Sequence, residues 1–224
     1  MQRFFDLVLS TLALIVLSPI LLLITLILAL TGERAVFYRQ IRIGHNGRKF
    51  EVMKFATMLK NSPNIGAGTL TMRDDPRVLP FGSILRKTKF NELPQLFNIM
   101  KGDMSIVGPR PLVPEGELNY SQEASHLIRS VPPGLTGIGS LVLRDEESFY
   151  SHREDAADFY KAVISPYKQE LEMWYIKNRS PHLYFKVIIF TAISVITSRF
   201  DVFKYFNSIP KIPAAMIQSR SEYT

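Results

Sequence analysis

The stretch LVLSTLALIVLSPILLLITLILALT, residues 7–31, holds no charged side chain and constrains the fold more than any other part of the chain. As one α-helix it would extend roughly 37 Å, longer than the roughly 30 Å hydrocarbon core of a bilayer. A cleaved leader fits poorly, because only Arg3 precedes the run, Asp6 offsets it, and no small-x-small site follows. Ser18-Pro19 divides the stretch into two apolar arms. Proline lacks an amide and clashes with the carbonyl four residues back, so a kink is expected there. Two arrangements follow. Length alone favours a kinked single span, whereas a re-entrant hairpin would return both ends to one face. The hairpin sets Arg3 beside the basic group Arg34, Arg39, Arg42, Arg48 and Lys49, facing anionic head groups.

The rest of the 224-residue chain is long enough for one catalytic-sized domain. It has no cysteine, which excludes disulfides, thiolate metal sites and a cysteine nucleophile. The net charge is +7, and between Glu33 and Arg110 fourteen Lys and Arg face six Asp and Glu, so the excess follows directly on the apolar run. Anionic lipid, phosphate or nucleic acid would suit it. Nucleic acid ranks last.

Residues 35–58, AVFYRQIRIGHNGRKFEVMKFATM, alternate apolar and polar on both sides of His45-Asn46-Gly47, which predicts a β-hairpin ending near Lys54. A Gly/Pro/Asn-rich loop is expected at 61–68, a turn at Asp74 to Arg77, and then a short helix displaying Arg86, Lys87 and Lys89. In KFNELPQLFNIMKGDMSIVGPRP, Asn91 reads as a helix N-cap and Glu92 as the first helical residue. Leu93, Leu96, Phe97 and Met100 then form one apolar stripe. Residues 182–197, HLYFKVIIFTAISVIT, are too short for a second span and read as a buried or interfacial helix. The tail from Lys211 reads as frayed.

An acid in a first helical turn is ordinarily there for the helix dipole. Around Glu92, however, Arg86, Lys87, Lys89 and Lys101 crowd the same stretch, and GPRP holds Arg110 on a rigid loop where its fork suits a phosphate. PPGLTGIGS at 132–140 fits no nucleotide fingerprint and reads first as a tight turn, second as a loop over a ligand. Asp145, Glu146 and Glu147 read as a solvated acidic face rather than a Mg²⁺ site, and the four histidines show no zinc spacing.

The segments VFYRQIRIGHNGRKFEVMKFATM, DDPRVLPFGSILRKTKFNELPQLFNIMKGDMSIVGPRPLV and PPGLTG together resemble the bacterial sugar transferase family, the monotopic phosphoglycosyl transferases. The resemblance runs from about Arg3 to about Thr197 and is densest from Ala35 to Val113. It implies an α/β, mostly helical, membrane-associated domain with interfacial amphipathic helices. Residues 1–32 would form a re-entrant membrane helix broken at Ser18-Pro19, 33–200 a catalytic domain at the cytoplasmic face of the bacterial inner membrane, and 201–224 a tail. The implied reaction moves a sugar 1-phosphate from a UDP-sugar to polyprenyl phosphate, releasing UMP with help from Mg²⁺, and a homodimer is the candidate assembly. The family's catalytic dyad is Asp-Glu before LPQL; this chain has Asn91-Glu92. Glu92 carries over, as catalytic group and as the carboxylate expected to hold Mg²⁺, but the nucleophilic aspartate does not. Pro132 stands where the family has an arginine, and Glu172 where it has an aspartate ahead of an aromatic pair. Lys54, Arg77, Arg86, Asp103 and Arg110 match, which implies phosphate contact or shaping of the site. Three accounts of Asn91 stay open: attack by Glu92, direct attack by the lipid phosphate, or loss of activity. The rival from another class is a non-catalytic membrane-surface subunit that recruits a glycan assembly complex through its basic face and apolar C-terminal helix.

Overall fold

The structure is a computed structural model that describes residues 1–65, 71–117, 119–197, 201–206 and 208–221. The loop expected at 61–68 passes out of the described residues after Ile65, and the domain boundary expected at residue 200 also lies outside them.

Helix α1, Gln2–Leu30, runs unbroken through Pro19. The carbonyl of Ile15, four residues before Pro19, receives no backbone N–H from it. The Ser18 hydroxyl donates to that carbonyl at 2.8 Å, so the carbonyl keeps a partner without ending the helix. The helix rests against the body along its whole length. Near its start the Gln2 amide donates to Ser105 Oγ and to the Val107 carbonyl, and the Arg3 guanidinium to the carbonyls of Ile99 and Met100. Asp6, buried, accepts from Ser105 Oγ, the Ile106 amide and the Tyr184 hydroxyl. Midway, Ala13 and Leu14 pack on Val52, Leu96, Ile99 and Met104; further on, Ile24 and Leu28 pack with Phe55 and Leu85. The opposite face leaves Phe4, Val8, Leu12, Ile15, Leu22, Leu23, Leu26 and Leu30 exposed, a continuous apolar strip far larger than scattered surface residues.

Strands β1, Phe37–Ile43, and β2, Lys49–Phe55, form the expected antiparallel hairpin, with Tyr38 opposite Lys54 and Arg42 opposite Phe50. Its turn uses left-handed backbone at Asn46 and Gly47, which suits an Asn-Gly pair. Helix α2, Pro80–Lys87, follows, and then Lys89 turns left-handed (φ 61) into a tight 3-10 turn at Phe90–Glu92. Helix α3, Gln95–Lys101, starts later than the N-cap reading of Asn91 requires. Pro94 has no amide, and the Leu93 amide instead donates to the Phe90 carbonyl at 3.2 Å, closing the turn before the α-helix begins. The stripe splits as well: Leu96 is buried, whereas Phe97 and Met100 are exposed beside α1.

Strand β3, Ser105–Val107, leads into the GPRP loop and then α4, Pro114–Glu117, and α5, Gln122–Arg129. The stretch read as a tight turn at 132–140 is instead strand β4, Gly134–Thr136, parallel to β3 with Ser105 against Gly134 and Val107 against Thr136, followed by α6, Ile138–Val142. Helix α7, Ala156–Phe159, passes through a π-helical turn at Tyr160–Ile164 into α8, Ser165–Lys177. Helix α9, Pro181–Ile196, packs Leu183, Tyr184 and Val187 inward and leaves Phe185, Ile189, Ile193 and Ile196 outward. The fold is thus mostly helical with two small strand pairs. The tail does not fray over its described part. Val202, Phe206, Ile209 and Met216 join the main core with Tyr167 and Leu171, and helix α10, Ala214–Ser221, is tied by Ser219 Oγ to the Phe149 carbonyl.

Candidate active site

The hairpin, the 3-10 turn and the GPRP loop converge on one small cleft lined by Arg42, Val52, Lys54, Glu92, Gln95, Arg110, Pro111, Gly134 and Leu135. Alternation along β2 puts Lys54 on the same face as buried Val52. The register of the hairpin puts Arg42 there too, from the neighbouring strand. Lys54 Nζ donates to Glu92 Oε1 at 2.8 Å, and Arg110 Nη2 stands 3.7 Å from the same oxygen. Glu92 Oε2 accepts no hydrogen bond among the described residues. The Arg42 guanidinium is held by Gln40 Oε1 and by the Pro111 carbonyl at 2.9 Å, and it has no carboxylate partner among the described residues.

A second layer stands behind Arg110. Its backbone amide donates to Glu172 Oε1 at 3.2 Å, while Glu172 Oε2 is buried without a partner among the described residues. Gly139 lets α6 pass over this carboxylate, since a Cβ there would lie 2.6 Å from Oε1. Gly134 allows the β4 backbone to pass Gly108 at the head of the GPRP loop, where a Cβ would stand 2.1 Å from the Gly108 nitrogen. Lys168 on α8 holds Glu146 and the Tyr160 hydroxyl, so one of the three acids read as solvated is instead bound into this layer.

The electrostatics follow from crowding cations around one acid. Burial pushes the Glu92 carboxyl up, but the charges of Lys54, Arg110 and Lys89 outweigh it and hold it well below the usual carboxylate range. Burial lowers Lys54 to about 8, with Glu92 opposing and Arg110 and Arg42 adding to the fall. Burial and the like charge of Arg110 bring Arg42 down to about 10. Glu172 goes the other way: burial lifts it to about 7, against the Arg110 amide and Lys168. The cleft therefore holds a fixed anion and an excess of positive charge, an arrangement suited to a polyanion such as a diphosphate.

The model of the family described as bacterial sugar transferase matches residues 1–198. The chain belongs to that family. Among curated relatives it is 40% identical over 162 residues to the exopolysaccharide production protein ExoY of Sinorhizobium fredii, covering 66% of this chain and 71% of ExoY. It is 36% identical over 210 residues to an undecaprenyl-phosphate glucose phosphotransferase of Komagataeibacter xylinus, covering 88% of this chain and 36% of that longer protein. It is 41% identical over 139 residues to a UDP-glucose:undecaprenyl-phosphate glucose-1-phosphate transferase of Escherichia coli, covering 61% of this chain and 30% of that one.

Within this sugar transferase, Lys54, Glu92, Arg110 and Glu172 come together, and the other residues singled out in the sequence stand apart from them. Arg77 lies in its own buried pair, donating to both oxygens of Asp75 and to the carbonyls of Ser62 and Ile65. Asp103 accepts from Asn98 and pairs with Lys101. Asn98 in turn holds the Met53 amide and the Glu51 carbonyl, so this group ties α3 to β2. Arg86 rests its Nη1 on the Met58 sulfur at 3.8 Å. Asn91 is buried beside Glu92 but does not line the cleft, and its Oδ1 has no partner among the described residues. Sequence reasoning set Arg42 among the lipid-facing bases and missed it as a cleft residue. The signal was present: a hairpin centred on His45 to Gly47 places Arg42 opposite Phe50, on the face that carries Lys54.

Proposed function

We propose that this sugar transferase passes a sugar 1-phosphate from a UDP-sugar to polyprenyl phosphate at the cytoplasmic face of the bacterial inner membrane, the initiating step of a glycan or exopolysaccharide. The observation that carries the reading is the Glu92 carboxylate ringed by Arg42, Lys54 and Arg110, in a family whose named relatives include such transferases. In the direct route, an oxygen of the lipid phosphate forms a bond to the sugar-linked phosphorus. The bond from that phosphorus to the bridging oxygen breaks, and UMP leaves with the electron pair. The attacking oxygen is already anionic, so no proton has to be removed. Lys54, Arg42 and Arg110 hold the diphosphate and oppose the charge that builds on the bridging oxygen. A carboxylate so strongly held by cations is a weak nucleophile, and the Asn91 amide is none, so both residues favour direct attack over a covalent enzyme intermediate.

Mg²⁺ fits this site as an ion shared with the substrate. No three acids or histidines converge among the described residues, yet the open Glu92 Oε2 lines the cleft, and Mg²⁺ is commonly held by one or two carboxylates together with substrate phosphates. Glu92 would hold the ion, which would supply positive charge against that of the departing UMP. The deciding experiment supplies purified protein with undecaprenyl phosphate, Mg²⁺ and a panel of UDP-sugars, measures UMP, and takes intact masses at partial turnover. UMP release without a phospho-sugar adduct is expected. An adduct mapping to Glu92 would exclude direct attack, and no UMP from any donor would favour the recruiting-subunit reading.

We also infer a re-entrant, one-sided placement of α1. In support, the helix touches the body from Gln2 to Leu28, and the exposed strips of α1 and α9 adjoin through the Phe5 and Phe185 rings, 5.0 Å apart. Tags at Met1 and beside Lys60 should both be reached only from the cytoplasm; periplasmic labelling at Met1 would restore the span.

A further inference from the structure

One polar side chain in the cleft has no part in its arrangement of charges. Gln95 is only 3% exposed, yet its amide group makes no hydrogen bond among the described residues. Buried side-chain amides are ordinarily paired, because an unmet donor or acceptor gives up water and gains nothing in return. Asn91, four residues earlier, also leaves an oxygen unmet, but that oxygen is sealed from solvent and stands outside the cleft. Gln95 lines the cleft, and neither of its amide atoms is sealed off, so the surface they keep faces the cleft.

Its position follows from the chain around it. Leu93 (φ −56, ψ −34) and Pro94 (φ −58, ψ −18) carry helical backbone from the 3-10 turn into α3. Gln95 follows Glu92 by three residues, a spacing that sets two side chains next to each other, about 5–6 Å apart at Cβ. On the facing strand Val52 precedes Lys54 by two residues and points the same way, and it packs in one apolar cluster with Leu135. The cleft therefore has two parts. Lys54, Glu92 and Arg110 form a charged part that suits a phosphate. Gln95, Val52 and Leu135 form an uncharged part beside it. An amide adds nothing to the grip on an anion that cations already supply, but it holds out a donor and an acceptor between apolar walls. Such a group sets the orientation and identity of a neutral, hydrogen-bonding portion of a ligand.

We propose that Gln95 recognises the substituent on carbon 2 of the transferred sugar, a hydroxyl or an acetamido group, and so selects among donors. The proposal rests on the transfer reaction given above. With the sugar-linked phosphate held at Lys54 and Arg110, carbon 2 is bonded directly to the carbon that bears this phosphate, and its substituent is the first neutral polar group reached. The ribose hydroxyls lie further off, beyond the second phosphate and a methylene. A hydroxyl and an acetamido group each donate and accept, so either meets the Gln95 amide. Gln95 takes no part in bond making or breaking; it orients and selects.

The test uses the full chain in nanodiscs without undecaprenyl phosphate, so that a donor binds and is not turned over. Calorimetry with Mg²⁺ present compares UDP-glucose, UDP-N-acetylglucosamine, UDP-2-deoxyglucose and UMP. One of the two substituted donors should bind about tenfold more tightly than UDP-2-deoxyglucose, the scale of one hydrogen bond, and the preferred one identifies the substituent. Gln95→Met has an unbranched side chain of similar length that suits Val52 and Leu135, and it should bring the preferred donor down to the affinity of UDP-2-deoxyglucose. The wild-type comparison decides by itself if that variant fails to fold. Equal binding of all three donors, binding of none, or a preference that survives in Gln95→Met would overturn the proposal. A loss in Gln95→Met as large for UMP as for the donors would assign the amide to the nucleotide and overturn it as well. Equal binding together with UMP release once undecaprenyl phosphate is restored would sink the sugar contact alone. The expected preference without UMP release from any donor would leave the contact standing and sink the transfer reaction.

Discussion

Two acid–base pairs in the first half of this chain, one buried and one half-buried, are built to opposite ends. Asp75 and Arg77 close on each other: Arg77 donates through Nε and Nη2 to both carboxylate oxygens, and it also donates to the carbonyls of Ser62 and Ile65. Burial costs the charges little there because each has found its complement. Lys54 and Glu92 meet through a single oxygen that Arg110 also approaches at 3.7 Å, and Arg42, without a carboxylate partner among the described residues, leaves positive charge in excess. A closed pair ties a loop together and is neutral toward ligands. An open pair with surplus charge is incomplete until an anion arrives.

Removing the acid from the open pair should have the largest effect. Glu92→Gln is nearly isosteric and should lower UMP release by about a thousandfold, as loss of a single preorganised electrostatic group does in other active sites, with the circular dichroism spectrum retained and some loss of melting temperature because Lys54 and Arg110 lose their acid. Unaltered turnover would cancel the contrast between the pairs. Asp75→Asn tests the closed one. It strands a buried guanidinium and should cost about 3 kcal/mol of stability, read as a lower melting temperature, while UMP release per folded molecule stays within about twofold. A fall in turnover without a fall in stability would move Arg77 into the substrate site.

Arg110→Lys keeps the charge and loses the planar fork, so transfer should drop about tenfold with little change in melting. The smallest effect concerns Glu172, behind Arg110. Its carboxyl is raised from 4.5 to about 7, so the folded chain holds a proton that the unfolded chain has released. Stability from this group is complete below about 4.5 and is lost as pH rises toward about 7. Glu172→Gln should flatten the melting-against-pH curve over that window and leave it parallel to wild type above it. An unchanged slope would mean that Glu172 is ionised throughout.

How far the sequence could disclose all this varied with the range of the interactions. The β1–β2 hairpin was readable because alternation and Asn46-Gly47 are local signals. Glu92, Lys54 and Arg110 were readable because they sit in dense motifs. Arg42 was overlooked since its neighbours in sequence are surface bases, and only cross-strand register shows that it shares the face of Lys54. The β3–β4 pair was not legible: each strand has three residues, and their pairing depends on glycines that let the chains pass, a contact between distant segments. Met216 escaped notice for a similar reason, because a lone apolar residue in a polar stretch gains its burial from a core assembled elsewhere.

The anchoring of α1 at both ends has a mechanical consequence. Asp6 is pinned to β3 and Tyr184, and Ile24 and Leu28 are pinned to the hairpin and α2. One residue inserted between these two fixings would swing one of them about 100° around the axis, so that both could not be seated together. The helix therefore works as a gauge block. Its length and phase set where the hairpin and the cleft stand relative to the exposed apolar strip along its outer face.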